Sequence, residues 1–185
     1  MEKGLSVRRI VIAGVLGAIA ILLGVSRLGY IPVPTPAGNA TIMHVPAIIG
    51  GIIEGPIVGL IIGLIFGVSS FLDATVPLFK DPLVSIFPRL FIGVIAFFVY
   101  FGFKRFNEYV AIGAAGFVGS MTNTILVLGM AVIRGYFTLS VALGVAIANG
   151  IPEAIVALIV TLAIVTSWKK IGGSIKKKSK ISEDI

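Results

Sequence analysis

A small set of polar side chains is embedded in otherwise apolar stretches of the sequence. The set comprises His44, Ser69, Ser70, Arg89, Thr122, Asn123, Thr124, Asn149 and Glu153. A polar group inside a membrane costs free energy, so each of these needs a partner, a wet cavity or a ligand. An arginine can hold a carboxylate with two parallel hydrogen bonds, and asparagine amides both donate and accept. Several such residues at one depth would favour a binding site over separate structural roles.

The composition of the chain places these polar groups in a membrane protein. Of its 185 residues, 57% are hydrophobic and 12% are charged, and the mean hydropathy is +1.11. A soluble domain has about half apolar and about a quarter charged residues. Cysteine is absent and histidine occurs once, which excludes disulfides, thiolate catalysis and a histidine-rich metal site. The length predicts a single domain over 1–185, with an all-α, polytopic membrane fold.

The apolar stretches predict six transmembrane helices, each of which needs about 20 apolar residues. Proline-bearing loops are expected at 26–40 and 73–82, and a tight turn at Glu54-Gly55-Pro56. A kink or a helix start is expected at Pro88, and Pro152 lies within the sixth helix. The predicted helices are 10–25, 41–53, 56–72, 83–103, 109–133 and 139–168, followed by a basic, solvated cytoplasmic tail over 169–185.

The placement of basic residues predicts the orientation of the chain. Six helices put both termini on one side, and eleven of the 15 basic residues fall there: Lys3, Arg8, Arg9, Lys104, Arg105, Lys169, Lys170, Lys176, Lys177, Lys178 and Lys180. Basic flanks of apolar spans face the cytoplasm, so both termini are expected to be cytoplasmic and the two proline-bearing loops to face outward. The net charge of +7 then reflects orientation beside a lipid bilayer, and no nucleic-acid partner is expected.

This layout brings the polar groups into the outer half of the bundle. Arg89 lies about two turns, and His44 about one turn, below the outer ends of their helices. Asn123 and Asn149 lie about 15 Å deep, and Asn149 and Glu153 share a helical face because they are four residues apart. The candidate binding residues are therefore Arg89, Asn123, Asn149, His44, Glu153 and Thr122.

Each of these residues also has a purely structural explanation. Asn123 and Asn149 are explained equally well as interhelical hydrogen-bond partners, which contribute about 0.6 to 2 kcal/mol. A lone buried histidine such as His44 is more often packed than bound to a ligand. Arg89 can reach the membrane surface or pair with an acidic residue: Asp73, Asp81 or Glu153.

Small residues at four-residue spacing form stripes that let helix backbones approach closely. On the first helix these are Ala13/Gly17 and Gly14/Ala18, and on the third Gly59, Gly63 and Gly67. The fifth helix carries Gly113, Gly116 and Gly119. Most of these stripes are expected to mediate contacts within the bundle.

Motifs that would indicate an enzyme are absent from the sequence. There is no phosphate-binding loop, no His-Glu-x-x-His and no Gly-x-Ser-x-Gly, and the two halves show no inverted repeat. The chain is therefore not expected to be an enzyme or to carry a cofactor or metal, and ATP hydrolysis must come from partners if transport is active.

The chain resembles the substrate-binding S components of energy-coupling factor (ECF) vitamin transporters over nearly its whole length. The resemblance rests on the six helices, the small residues of the first helix and several motifs, which look most like the pantothenate-type branch. The motifs are His44-Val45-Pro46-Ala47-Ile48-Ile49-Gly50 with Glu54-Gly55-Pro56, Asp81-Pro82-Leu83-Val84-Ser85-Ile86-Phe87-Pro88-Arg89, Thr122-Asn123-Thr124 and Asn149-Gly150-Ile151-Pro152-Glu153.

The resemblance implies a multi-pass subunit of a prokaryotic plasma membrane that captures one vitamin near the outer face, beneath the two loops. It also implies docking on a transmembrane coupling subunit driven by two cytoplasmic ATPases. The docking stripe of the family maps onto the first helix, at Ala13/Gly17 or Gly14/Ala18.

Pantothenate has a carboxylate, an amide and two hydroxyls, which suit the candidate residues. Arg89 is expected to hold the carboxylate, with Asn123, Asn149 and His44 reading the polar body. Glu153 would repel an anion, so it is expected to pair with Arg89 or to orient Asn149.

Other functions fit parts of the same pattern. Direct contact of Glu153 with the ligand would favour pyridoxine or another neutral or cationic vitamin. A standalone permease, a scaffold that uses the glycine stripes, and an intramembrane enzyme with Glu153 and His44 as acid and base are further alternatives.

Overall fold

The computed structural model describes residues 6–32 and 39–183, and its regular structure there is helical apart from one short hairpin. The all-α fold predicted from the sequence is therefore confirmed, with the hairpin as an addition. The strands β1 (Tyr30–Pro32) and β2 (Asn39–Thr41) pair antiparallel. The helices are α1 (Val7–Val25), α2 (Val45–Glu54), α3 (Pro56–Leu72), α4 (Pro82–Ser85), α5 (Phe87–Phe103), α6 (Glu108–Ile133), α7 (Leu139–Val145) and α8 (Ile151–Glu183).

Within the described residues, four helical segments are long and apolar enough to cross a membrane: Val7–Val25, Pro82–Phe103, Glu108–Ile133 and Leu139–Ile171. The other two predicted spans are the shorter apolar helices α2 and α3, of 10 and 17 residues. Gly55 joins them with φ 100°, a backbone conformation that is unfavourable for residues other than glycine. Pro56 then occupies the first helical position.

The first proline-bearing segment differs from the predicted loop because it contains the hairpin. Thr41, predicted as the start of the second helix, ends strand β2, and α2 begins only at Val45. The first helix, in contrast, begins earlier than predicted. Helix α1 begins at Val7, a turn before the predicted start, because the Ser6 side chain accepts a hydrogen bond from the backbone N–H of Arg9.

Pro88 interrupts the fourth predicted helix, as its sequence position indicates. A four-residue helix, α4, precedes it, and α5 begins at Phe87 with Pro88 in its first turn. Proline has no N–H to donate to the carbonyl four residues earlier, which here belongs to Val84. The chain therefore restarts a helix at this point instead of continuing the old one.

The sixth predicted helix is divided by a π-helical turn at Ala146–Gly150, which ends two residues before Pro152. This wider turn lies between α7 and α8 where the proline removes a regular helical hydrogen bond. Helix α8 then continues through Glu183, so the segment after Trp168, predicted as a solvated tail, has helical backbone. Lys169 is not free in solvent, because its Nζ donates to Glu108 and to the hydroxyl of Tyr100.

The glycine stripes pack inside the bundle, as expected for most of them. The backbones of α2, α3 and α5 cross at Gly51, Gly59 and Gly93, where an added Cβ on Gly59 would lie 2.9 Å from the Gly93 Cα. An added Cβ on Gly116 of α6 would lie 3.0 Å from the Cα of Leu158 in α8. Glycine is required at these crossings because no side chain fits between the backbones.

The helices alternate in direction, so the bundle has two chemically different ends. The basic end carries Arg8, Arg9, Glu54, Lys104, Glu108 and Lys169. The loop end carries the hairpin, the 3-10 turn Pro77–Lys80 and Arg134, whose side chain pairs with Asp81 at 2.6 Å. Arg8 of α1 and Lys169 of α8 line one cavity, so the first and last helices share the basic end. That this end faces the cytoplasm remains a prediction.

Candidate ligand-binding cavity

A cavity of about 510 Å³ opens at the loop end of the bundle. Its size lies within the range of small-molecule sites, roughly 300 to 1,000 Å³. The walls come from α1, α3, α5, α6, the π turn and the start of α8. The hairpin and the chain between α3 and the 3-10 turn contribute the rim. Of the candidate binding residues, four line it: Arg89, Asn123, Asn149 and Glu153.

Arg89 is a buried cation on the cavity wall, with 4% of its surface exposed. Its Nη1 donates to the carbonyl oxygen of Val84, the acceptor that Pro88 leaves without a helical donor. The guanidinium carbon lies 5.6 Å from the ring centroid of Phe66 and 5.2 Å from that of Phe79. Two aromatic faces and one carbonyl thus stabilise the charge, while its Nε has no hydrogen-bond partner among the described residues.

No acidic residue among those described forms an ion pair with Arg89. This corrects the expectation that Glu153 pairs with it. Asp81 is also engaged elsewhere, with Arg134. The guanidinium therefore retains donors for an anion that enters the cavity.

Asn123 on α6 and Asn149 in the π turn are both buried and both line the cavity. The side-chain oxygen of each is enclosed and has no hydrogen-bond partner among the described residues. An unpaired buried acceptor costs about 1 to 3 kcal/mol, so interhelical hydrogen bonding does not account for these oxygens. Each oxygen still needs a hydrogen-bond donor, which a hydroxyl or amide group of a ligand would supply.

Glu153 connects the cavity wall to the hairpin. Its Oε1 accepts a hydrogen bond of 3.0 Å from the backbone N–H of Thr41, the last residue of β2. The expected role of orienting Asn149 is not observed, because no hydrogen bond joins the two side chains in the part of the chain that is described. Glu153 instead links α8 to strand β2 at the rim of the cavity.

His44 and Thr122 lie away from the cavity lining. His44 is fully buried at the start of α2, and neither ring nitrogen has a partner among the described residues. The Thr122 hydroxyl donates to the carbonyl of Val118 in its own helix at 2.8 Å. Neither residue is among those that line the cavity, so the binding role of His44 and Thr122 remains a prediction.

Several lining residues were not among the candidates. Tyr30 is the first residue of β1, and Arg27 precedes the hairpin with a left-handed backbone at φ 59°, unusual for a residue other than glycine. Asp73 lies at the end of α3. Ser69, Ser70 and Thr124 were visible in the sequence as intramembrane polar residues, but Phe66 and Phe79 had no distinguishing signal.

The cavity thus combines two cations, Arg27 and Arg89, with two acids, Asp73 and Glu153. Aromatic and aliphatic side chains supply the rest of the wall. No group of three or more acidic or histidine residues that could hold a metal ion occurs in the described part of the chain. The arrangement can bind a small molecule with an anionic group at one point and hydroxyl or amide groups elsewhere.

The two small-residue pairs of α1 face in different directions. Ala13 and Gly17 are buried, and a Cβ on Gly17 would lie 2.7 Å from the Ile65 side chain of α3. Gly14 and Ala18 are exposed, and nothing lies within 4 Å of a Cβ added to Gly14. Only the Gly14/Ala18 face is open to another membrane helix.

Comparison with known proteins gives consistent results. The model of the family described as "ECF transporter, substrate-specific component" matches residues 8–165. The "Pantothenic acid transporter PanT" of Lactococcus lactis subsp. cremoris (strain MG1363) is 34% identical over 155 residues, which cover 70% of this chain and 78% of that protein. The solved structure titled "Structure and mechanism of the S component of a bacterial ECF transporter" has a TM-score of 0.59 at 18% identity, covering 91% of this chain and 98% of that one. At this identity the structural likeness shows the fold alone.

Proposed function

The chain belongs to the family of substrate-specific components of ECF transporters, and on this premise we propose that it captures pantothenate in the loop-end cavity. It is a membrane-embedded binding subunit of a vitamin importer. The observation that carries the assignment of the ligand site is Arg89. It is buried on the cavity wall and forms no ion pair with an acidic residue among those described.

Pantothenate matches the chemistry of this wall group by group. Its carboxylate can accept from the unpartnered donors of Arg89. Its amide N–H and two hydroxyls can donate to the side-chain oxygens of Asn123 and Asn149, which have no other donor among the described residues. Phe66 and Phe79 offer apolar surface to the methyl groups of the vitamin.

The role proposed for Glu153 is to hold the hairpin, not to contact the ligand. Its Oε1 already accepts the hydrogen bond from the Thr41 backbone, which occupies one of the two carboxylate oxygens. Pyridoxine or another neutral or cationic vitamin is the alternative, because direct contact of Glu153 with the ligand would favour a hydrogen-bond donor or a cation.

Delivery is proposed to require partners: a transmembrane coupling subunit and two cytoplasmic ATPases, as the family implies. The exposed Gly14/Ala18 pair of α1 is the docking stripe that we favour. Ala13 and Gly17 are buried within the bundle, with Gly17 packed against α3. The proposed location is the prokaryotic plasma membrane, with the basic end in the cytoplasm.

The test is calorimetry on the purified, detergent-solubilised chain with pantothenate, pyridoxine and riboflavin. A nanomolar dissociation constant, equivalent to about −12 kcal/mol, is expected for pantothenate. Arg89→Ala should abolish this binding, whereas Lys80→Ala, which removes a cation of the loop end outside the cavity lining, should leave it unchanged.

Unaltered pantothenate affinity in a folded Arg89→Ala protein would remove Arg89 from the site. Tight binding of pyridoxine instead would shift the contacts to Glu153 and the asparagines. Pantothenate uptake by proteoliposomes that contain only this chain would favour the standalone permease.

A further inference from the structure

A second cavity, of about 770 Å³, lies at the basic end of the bundle, remote from the ligand site. We propose that it binds the phosphodiester headgroup of an anionic phospholipid. The lining comes from α1, the turn between α2 and α3, the end of α5, and α8.

The first support is the excess of cations around this cavity. Arg8, Arg9, Lys104 and Lys169 all line it. Two carboxylates offset them in part: Glu54, 2.8 Å from Arg8 and 3.9 Å from Arg9, and Glu108, which pairs with Lys169. Four cations against two carboxylates leave the region positive, as an anion requires.

Lys104 is the cation that most clearly lacks an internal counter-charge. None of the ion pairs among the described residues includes it. Its Nζ lies 4.3 Å from the ring centroid of Phe101 and 5.9 Å from that of Tyr100. Contact with ring faces leaves the ammonium hydrogens available to phosphate oxygens.

The second support is the apolar surface that continues outward from the cavity. Ile57 and Trp168 line it and are 58% and 48% exposed. Exposed aliphatic surface beside basic residues suits the acyl chains below a headgroup, and tryptophan is typical of the membrane interface. Basic pockets between transmembrane helices bind anionic lipid headgroups elsewhere by this combination. A free phosphate would use only the cationic half of the lining.

The experiment is native mass spectrometry of the full chain released from detergent after incubation with phosphatidylglycerol or with phosphatidylcholine. The wild-type chain is expected to retain phosphatidylglycerol preferentially. Lys104→Gln should weaken retention about fivefold, the effect of one basic residue near anionic lipid. The matched control is Arg105→Gln, a neighbouring cation that does not line the cavity. The basic tail is present in every variant, so its contribution to retention cancels.

Equal retention of the two lipids, or equal retention by the two variants, would overturn the proposal. Soluble glycerol phosphate is added as a competitor in a further arm. Displacement of the lipid by glycerol phosphate at equal concentration would show that the cavity takes a free phosphate ester, which also overturns the lipid assignment. Circular dichroism and the thermal midpoint of Lys104→Gln distinguish loss of the site from loss of the fold.

Discussion

The Arg89 guanidinium donates to the carbonyl oxygen of Val84, the acceptor that would receive a helical hydrogen bond from residue 88 if that residue were not proline. The proline that restarts the helix and the arginine beside it thus act together. The break frees a carbonyl, and that carbonyl holds the cation against the cavity wall.

This relationship predicts that Pro88→Ala weakens ligand binding without removing any ligand contact. A backbone N–H at position 88 would compete for the Val84 carbonyl and release Arg89 from its position. We expect pantothenate affinity, measured by calorimetry, to fall about tenfold or more, since hydrogen bonds to charged groups contribute about 1.5 to 3 kcal/mol. Pro56→Ala, at the first position of α3 and the basic end, is the control and should bind normally. Full affinity in Pro88→Ala would show that the carbonyl does not position Arg89.

The Asn149→Ala variant tests whether Asn149 contacts the ligand or instead stabilises the helix bundle. Because its side-chain oxygen is buried without a partner, its removal should leave the thermal stability of the ligand-free protein unchanged or raised. Affinity for the vitamin should fall about tenfold or more, as for one lost hydrogen bond to a buried group. A marked loss of ligand-free stability with unaltered affinity would instead identify Asn149 as an interhelical hydrogen-bond partner.

Glu153→Ala should release the hairpin from the cavity wall. The Thr41 N–H would lose its acceptor, so hydrogen exchange at this amide should accelerate, and the vitamin should dissociate faster. Glu153→Gln retains a carbonyl oxygen and should restore slow exchange. If the Thr41 amide exchanges at the same rate in Glu153→Ala and the wild type, the bond does not hold the hairpin.

The ion pair between Asp81 and Arg134 is expected to make a pH-dependent contribution to stability at the loop end. The hydrogen bond from Arg134 holds the pKa of the Asp81 carboxyl below its usual value, although burial acts in the opposite direction. A carboxyl whose pKa is lower in the folded state stabilises the fold when the pH is above its unfolded-state pKa of about 3.9. This stabilisation is lost as the pH falls through the folded-state pKa. Asp81→Asn should therefore have a lower thermal midpoint than the wild type near neutral pH.

The difference in thermal midpoint between Asp81→Asn and the wild type should shrink as the pH is lowered below about 4. Arg134→Gln should give the same trend, because it removes the other half of the pair. A constant difference across the pH range would contradict the assignment.

Gly93→Ala should destabilise the bundle where the backbones of α2, α3 and α5 cross. The added Cβ would lie 2.5 Å from the Gly59 Cα and 2.6 Å from the Ala47 carbonyl oxygen, neither of which can move alone. Overpacking of this kind costs typically about 1 to 3 kcal/mol, measurable as a lower thermal midpoint. Gly102→Ala, in the same helix with nothing within 4 Å, is the matched control and should be neutral. Equal midpoints for the two variants would mean that the crossing relaxes freely.

The sequence predicted the features that depend on local chemistry or on depth along a helix. The break at Pro88, the turn at Gly55 and the order of the apolar helices follow from the properties of proline, glycine and apolar residues. Depth along the helices placed Arg89, Asn123 and Asn149 in the outer half of the bundle, with Glu153 about a turn deeper, and all four line the cavity. Their roles in binding remain predictions.

Rotation about a helix axis and long-range pairing could not be predicted in this way. Thr122 directly precedes Asn123 at nearly the same depth, yet only Asn123 lines the cavity, because consecutive residues point about 100° apart. The partner of Glu153 is a backbone group 112 residues away, in a hairpin that no periodicity indicated. Arg27 reaches the cavity through a left-handed backbone conformation, which the sequence of a loop does not reveal.

The crossing of Gly51, Gly59 and Gly93 also limits how the molecule can move. Packed helices slide past one another through small adjustments of the side chains between them. Here no such layer separates the three backbones, so we expect α2, α3 and α5 to move as one rigid block. Entry and release of a vitamin are then expected to depend on elements outside this block, among them the hairpin that is bonded to Glu153. Any reorientation of the subunit in the membrane would carry the block, with Arg89 on it, as a unit.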